Sequence, residues 1–322
     1  MINASGFSRP EDSNSPMLLV HGGAWNIPDE ECDAHRSGLL KVLQIGKKSL
    51  LGGKNALDVV AEVVAGMESD GAFDAGVGAV LTRDATVELD AGIMQGEDIL
   101  YGAVSGVKHF ANPVNIAKMV LEKGQRQYCF LSGSGAENFA RDAGFLEVTN
   151  DSLICDREMR RYELLRKQSI YHTSHPFLPG KEDKPRGTVG CVALDKNGRL
   201  AAATSTGGTP YRIAGRIGDS PMPGSGYYAN EMGASSATGW GEAIASVSMC
   251  YEAVRLLGDK TAEVAALESI TLLNNLIKNE DGAGATGGII LLSKRGAGGF
   301  AFSTPRMARG GWCEGGELWA EV

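Results

Sequence analysis

Residues 187–208, GTVGCVALDKNGRLAAATSTGG, do most to limit the folds open to this chain. The apolar, β-prone runs 189–194 and 200–205 are separated by Asp195-Lys196-Asn197-Gly198, which favours a tight turn, so the segment predicts an antiparallel hairpin. Thr188 opens the first strand directly after a polar, proline-bearing segment, and Thr206 closes the second. Pairing brings the two threonines to one end. A first buried strand is expected at 17–21 (MLLVH), with Gly22-Gly23 as the bend that leaves it, and a closing hairpin at 287–293 and 299–303. Apolar residues recur at helical spacing in 39–51, 55–67 (with Asn55 as N-cap), 113–122, 136–143, 156–167, 241–257 and 261–277. Strands come in adjacent pairs and helices in adjacent pairs, which predicts an α+β fold with an antiparallel sheet core under helix pairs rather than a βαβ repeat.

With 322 residues and 43% hydrophobic content, the chain can bury a substantial core in one large domain or two smaller ones. The 44 glycines are dispersed between apolar runs without a Gly-X-Y period, as expected for many tight turns. A net charge of −8 argues against general nucleic-acid or anionic-membrane binding. Six cysteines without CxxC spacing fit reduced thiols of a cytoplasmic protein. Residues 1–16 lack the apolar segment of a signal peptide and read as a mobile tail, and no run approaches transmembrane length, so a soluble chain is expected. Residues 170–187, with three prolines and little apolar content, read as an exposed linker and the one internal boundary; it ends at Thr188.

Several familiar motifs are set aside. GAGATG (282–287) has the GxGxxG form, but it follows a helix pattern and precedes a strand, the reverse of a dinucleotide-binding turn. The chain contains neither GxxxxGK[ST] nor GxSxG, and the SxxK match at Ser105–Lys108 lacks the motifs that accompany it in penicillin-binding enzymes. His172 and His175 have no acidic or cysteine cluster beside them in sequence and read as solvated; His21, at a strand end, reads as a hydrogen-bonded core histidine. Within the glycine-rich run 70–96, Asp84, Glu88 and Asp90 lie at strand-like spacing.

A threonine inside a chain is a poor nucleophile, because its own nitrogen is an amide and accepts no proton. Were the Gly187–Thr188 bond cut, Thr188 would carry an α-amine of pKa about 7.7–8.0 next to its hydroxyl, nucleophile and base in one residue. Gly187 tolerates the backbone conformations such an attack demands. Spacing alone favours the plainer reading, that Thr188 begins a strand. Downstream, Arg216 and Asp219 stand three apart on a glycine-hinged turn and suit the carboxylate and ammonium of an α-amino acid, although an ordinary Arg–Asp surface pair has the same spacing. In TGWGE (238–242), the Thr238 hydroxyl and Gly239 amide suit an oxyanion hole; equally, Thr238 could cap a helix with Glu242 in its first turn.

Taken in order, HGGAW (21–25), FDAGVGAVLTRD (73–84), ELDAGIMQG (88–96), GTVGCVALD (187–195), TSTGG (204–208), GRIGDSP (215–221), TGWGE (238–242) and STPRMARG (303–310) resemble the plant-type asparaginase/isoaspartyl peptidase family of N-terminal nucleophile hydrolases. The likeness runs from about residue 17 to about residue 310 and is poor over 150–186. It implies a single domain, a four-layer αββα sandwich of two antiparallel sheets, made as a precursor that cuts itself into an α-chain (1–187) and a β-chain (188–322) and associates as a dimer of αβ units. By motif, Thr188 is the nucleophile, Thr206 bonds near its amine, and Thr238 and Gly239 form the oxyanion hole. Arg216, Asp219, Gly241 and Asp74 fall at substrate-binding positions. The loop 67–77 matches one that wraps sodium with the carbonyls of Met67, Glu68, Asp70, Phe73, Ala75 and Val77; no cofactor serves the catalysis. The implied reaction releases L-aspartate from β-aspartyl dipeptides or L-asparagine. Glycosylasparaginases share much of the motif set but typically carry Asp before the nucleophile and TSTNG in place of TSTGG. An unprocessed, non-catalytic homologue would keep the fold without the cut. Asp74 stands where the family usually has Asn; near Thr188 its charge would raise the amine's pKa and shift the pH–rate profile to alkaline values. Trp240 and Tyr211-Arg212 add bulk and charge expected to narrow the leaving-group side.

Overall fold

The computed structural model describes residues 1–8, 15–167 and 187–322. In chain order its elements are β1 (Asn3–Ser8), β2 (Met17–Trp25), α1 (Asp29–Leu51), α2 (Ala56–Asp70), β3 (Leu89–Gln95), β4 (Leu100–Val107), α3 (Pro113–Gly124), β5 (Phe130–Ser132), α4 (Gly133–Asp142) and α5 (Asp156–Arg166). After the undescribed segment come β6 (Val189–Leu194), β7 (Leu200–Thr206), β8 (Tyr227–Ala229), β9 (Gly233–Gly239), α6 (Gly241–Val247), α7 (Met249–Leu256), α8 (Ala262–Leu276), β10 (Gly287–Ser293), β11 (Ala297–Phe302), β12 (Arg306–Cys313) and β13 (Trp319–Glu321). The strands form a five-stranded sheet, β1-β11-β10-β9-β8, and an eight-stranded sheet, β13-β12-β2-β6-β7-β3-β4-β5. All pairs are antiparallel except β4–β5, which is parallel, so the larger sheet is mixed rather than purely antiparallel.

Three packed layers of side chains give the αββα order. Leu19, Val192, Leu200, Ile290 and Phe300 lie between the sheets. The outer face of the large sheet meets α1, α2 and α3 through residues such as Leu43, Val60, Ile93 and Val120. The outer face of the small sheet meets α6, α7 and α8 through Ile244, Val254, Ile270 and Ile289. Strands covered on both faces need apolar side chains at consecutive positions, and β2, β6, β7 and β10 are buried throughout. Where sheets approach closely the side chain must vanish: a Cβ on Gly190 would lie 2.0 Å from Ser236 Oγ and 2.2 Å from His21 Nε2. The helix stops follow local chemistry. Asn55 caps α2 through the Asp58 amide, and Gly71 ends it at φ 80°.

The β6–β7 hairpin, α2, α3, α8 and β10–β11 form where the sequence places them. Other expectations need correction. Part of the supposed tail, residues 1–16, is strand β1, which pairs with β11 from Asn3↔Phe302 to Ser8↔Ala297; an edge strand can be recruited by backbone hydrogen bonds with little apolar signal of its own. Gly22-Gly23 does not end β2, because β12 pairs onward with Ala24 and Trp25. Helix α1 starts ten residues early, with Asp29, Glu30 and Glu31 favourably placed at its N-terminus. The pattern 241–257 breaks at Ser248, φ 48°. The chain does not end on the β10–β11 hairpin: β12 and β13 return to the large sheet. The linker 170–187 lies outside the described residues except for Gly187, as do His172 and His175. Among the described residues no helix is long and apolar enough to cross a membrane, and all six cysteines are unpaired.

Candidate active site

At one end of the large sheet, neighbouring strands finish in a polar row. Thr188 immediately precedes β6 and Thr206 ends β7; on the next strand Asp90 faces Thr206 in register, and further along Ser105 of β4 faces Ser132 of β5. Thr188 is 8% exposed, and its Oγ1 donates to Thr206 Oγ1 at 3.1 Å. Thr206 Oγ1 also accepts the Gly208 N–H at 2.9 Å. The hairpin pairing that made two threonines neighbours thus produces a direct hydroxyl–hydroxyl contact.

Behind Thr188 lies a polar chain that its local sequence does not reveal. His21 Nδ1 donates to the Thr188 carbonyl at 3.0 Å, and Nε2 is 2.8 Å from Ser236 Oγ. Ser236 Oγ lies 2.6 Å from Thr204 Oγ1, which is 3.0 Å from the Gly226 carbonyl. Burial lowers the His21 pKa to about 3, so the ring is neutral near pH 7. His21 is therefore the core histidine expected from its position. Ser236 and Thr238 are two apart on β9 and face the same way, which carries Thr238 toward the Thr188 end.

Asp74 joins the two threonine segments. Its carbonyl accepts the Gly207 N–H at 3.1 Å, and its Oδ1 accepts the Val80 N–H at 2.9 Å. A Cβ on Gly187 would lie 3.1 Å from Asp74 N, and one on Gly207 would lie 2.4 Å from Asp74 Oδ1. Gly207 is required by this carboxyl group, and Gly187 sits tightly against the Asp74 backbone. Burial raises its pKa to about 7, helped by Glu158 and opposed by the Val80 amide and Arg212.

The remaining predicted residues meet on the loops after β7 and β9. Arg216 binds Glu242 in bidentate fashion, Nε to Oε1 at 2.8 Å and Nη2 to Oε2 at 2.7 Å. Asp219 is buried, and its pKa is raised to about 7 by burial against the opposing charge of Arg216. A Cβ on Gly241 would meet Asp219 Oδ1 at 2.8 Å and Arg216 Nη2 at 3.0 Å, so Gly241 is what lets the two charged heads share one place. Gly239 has φ 136°, and a Cβ there would strike Gly287 Cα at 2.5 Å. Asp219 Oδ2 and Thr238 Oγ1 are both buried without a hydrogen-bond partner among the described residues.

Arg212 does not point charge at a leaving group. It is buried, paired with Glu88 at 2.9 Å, and it donates to the carbonyls of Gly207, Arg216 and Glu88. That strut was invisible in sequence because its partner lies 124 residues away. Tyr211 stacks near Tyr162 and Arg83. Trp240 is half-buried and packs against the α6–α8 core.

The loop after α2 closes tightly: a Cβ on Gly76 (φ 58°) would lie 2.3 Å from the Glu68 carbonyl oxygen. The carbonyls of Ala72, Asp74, Gly76 and Gly78 accept from Arg157, Gly207, Ala79 and Arg157 in turn, and that of Glu68 accepts the Val77 N–H. Among the described residues no donor reaches the intervening carbonyls of Phe73, Ala75 and Val77. Met67 and Asp70 fall in the last turn of α2. The Glu68 side chain is buried, raised to about 8 by burial, and held by the Val114 and Asn112 N–H groups. No group of three or more His, Cys, Asp or Glu side chains suited to a metal ion occurs among the described residues.

The model of the family described as Asparaginase matches residues 14–317. The chain is 40% identical over 287 residues to the isoaspartyl peptidase/L-asparaginase of Mus musculus, covering 88% of this chain and 83% of the mouse protein. It is 38% identical over 301 residues to the isoaspartyl peptidase of Escherichia coli K12, covering 91% of each. With the isoaspartyl peptidase of Salmonella typhimurium it shares 36% identity over 303 residues, 92% of this chain and 95% of the other.

Proposed function

This chain belongs to the asparaginase family and is a hydrolase, and from that premise we propose that it cuts itself between Gly187 and Thr188 and then uses Thr188 to release L-aspartate from β-aspartyl dipeptides and L-asparagine. The observation that carries the reading is the buried Thr188–Thr206 hydroxyl contact, together with Asp219 Oδ2 and Thr238 Oγ1, which are buried without a partner among the described residues. Buried polar atoms are nearly always paired, so unpaired ones at one place are suited to a ligand.

In the precursor, Thr188 Oγ1 attacks the Gly187 carbonyl carbon. The C–N bond breaks as the nitrogen takes a proton, leaving Gly187 esterified to Thr188. Water hydrolyses that ester to a Gly187 carboxylate and frees the Thr188 hydroxyl, beside the α-amine that the broken C–N bond has already released. The neutral amine then takes the hydroxyl proton while Oγ1 attacks the substrate's β-carbonyl. Thr206 orients the hydroxyl; the Thr238 O–H and Gly239 N–H donate to the developing oxyanion. Arg216 takes the α-carboxylate and Asp219 the ammonium, with Gly241 giving them room. Departure of the protonated amine or ammonia leaves an aspartyl ester, which water opens to regenerate Thr188. The products of the first cut are one α-chain (1–187) and one β-chain (188–322) of a single domain, and two such units associate.

The loop at 67–77 fits a sodium ion held by backbone carbonyls. The three carbonyls of Phe73, Ala75 and Val77, which no donor among the described residues uses, support it, with Met67, Glu68 and Asp70 completing the set. A bound ion would balance converging carbonyl dipoles and stiffen the loop that carries Asp74.

Incubation of wild type and Thr188→Ala, followed by denaturing electrophoresis, N-terminal sequencing and an aspartate assay, tests the proposal. Wild type yields two fragments, one beginning at Thr188, and releases aspartate. Thr188→Ala stays whole and inert. Cleavage in the alanine variant, or a processed wild type that releases no aspartate, refutes it.

A further inference from the structure

Beyond Thr206, the polar row continues into a cleft of about 510 Å³ whose walls include Arg216, Asp90, Ser105, Lys108 and the start of α4 at Ser132–Ser134. Nothing in the reaction described above uses Ser105, Lys108 or α4. Ser105 is fully buried, and among the described residues its Oγ has no hydrogen-bond partner; Oδ2 of Asp90, also buried, has none there either. Helix α4 has ten residues, and no side chain caps its N-terminus, so first-turn N–H groups and the positive end of the helix dipole face this cleft. Lys108 Nζ is anchored at 3.1 Å by Glu88 Oε1. Of the acidic groups of the wall, Asp90 Oδ1 accepts the Gly106 amide, Glu88 takes Arg212, Lys108 and the Gly215 amide, and Glu137 takes the amides of Lys108 and His109.

Resting on the function proposed above, we infer that this cleft is the leaving-group subsite and that it recognises the C-terminal carboxylate of an isoaspartyl dipeptide. Such a dipeptide carries two carboxylates, one on the aspartyl residue and one at the far end. Arg216 forms one wall of the cleft and receives the first. The α4 N-terminus, Lys108 and the Ser105 hydroxyl form the other and receive the second. From Thr206 at the end of β7 past Asp90 on β3 to Ser105 on β4 is two strand spacings, about 10 Å, and an extended isoaspartyl dipeptide reaches roughly 8 Å between its ends before side chains are counted. Asp90 lies between the two ends on β3, where its unpartnered Oδ2 accepts the N–H of the bond to be cut. L-asparagine has no second carboxylate and leaves the far wall unused.

The experiment compares β-aspartyl-glycine, its C-terminal amide and L-asparagine as substrates for processed wild type, Lys108→Met and Ser105→Ala. Wild type favours the free acid over the amide. In Lys108→Met the ratio of kcat/KM for the acid to that for L-asparagine falls about tenfold, chiefly through KM, and the acid loses its advantage over the amide; Ser105→Ala gives a smaller fall of the same kind. Equal changes for all three substrates, unchanged ratios, or no discrimination by wild type between acid and amide overturn the subsite while leaving the hydrolase reading intact. A processed wild type that turns over none of the three refutes the hydrolase reading, and the subsite with it.

Discussion

Hairpin β6–β7 lies inside the eight-stranded sheet and hairpin β10–β11 inside the five-stranded one. Both are joined by short polar turns, both are rich in small and branched apolar residues, and both are almost wholly buried. They differ at their open ends. That of β10–β11 is closed by protein: Ser303 pairs with both the N–H and the carbonyl of Gly287, and Phe302 packs between the sheets. That of β6–β7 gathers Asp74, Asp90, Asp219 and Thr238 from four other segments, each with a buried oxygen that no group among the described residues satisfies. An unpaired buried polar atom costs on the order of 1–3 kcal/mol. One hairpin end is therefore built for stability, and the other gives up stability to keep polar groups ready for a ligand.

The contrast is open to direct attack. Thr238→Val, at the polar end, should lower aspartate release by about 10²–10³-fold through kcat while the folded protein keeps its melting temperature within a few degrees; a loss of structure instead would make Thr238 a core residue. Ile289→Ala, in the other hairpin, should destabilise the protein by about 2–5 kcal/mol in denaturant titration, with kcat per folded molecule retained. If it abolishes turnover without unfolding, the two hairpins are not separable in the way described.

Smaller effects follow from buried titratable groups, which act in opposite directions. His21 is held neutral, with its pKa depressed to about 3, so below the ordinary histidine value the unfolded chain binds a proton that the folded one refuses. Stability contributed by neutral His21 is thus lost as pH falls from about 6.5 toward 3. His21→Gln should flatten that part of the curve of stability against pH. Asp74 is the reverse. Its raised pKa of about 7 means that the folded state holds a proton the unfolded state has released, so stability declines as pH rises from about 4 to 7. Asp74→Asn should therefore gain stability relative to wild type at pH 8 and lose that gain by pH 4. Because Asp74 is partly protonated near pH 7, its pull on the Thr188 amine is felt mainly above that pH. The rise of kcat/KM with pH should move by less than about one pH unit toward acid in Asp74→Asn; an unmoved profile would separate Asp74 from the amine.

How much was readable beforehand depended on the range of each interaction. The hairpin, its turn and the meeting of Thr188 with Thr206 follow from two continuous apolar, β-prone runs of matched length around a turn sequence, which are local. Gly187, Gly239 and Gly241 stood out as glycines; a Cβ would collide at Gly239 and Gly241 and would be tight at Gly187. Strand β1 escaped notice because its residues, NASGFS, have little apolar pattern, and its stability comes from β11, almost three hundred residues on. The Arg212–Glu88 strut and the Arg216–Glu242 pair escaped for the same reason: a charged residue's sequence neighbours do not tell which distant charge will face it.

The sequence by itself determined where strands and helices alternate, which two threonines share a hairpin end, and which family the chain resembles, because those depend on patterns within a few residues or on motifs kept in order. Only the tertiary structure decided what surrounds that end. The stacking of two sheets brings His21 and Ser236 behind Thr188, and the order β6-β7-β3-β4-β5 lines up Thr206, Asp90 and Ser105 into one polar row. Burial then decides which of those groups is charged, which is neutral and which is left without a partner, and burial is a property of the packed molecule alone.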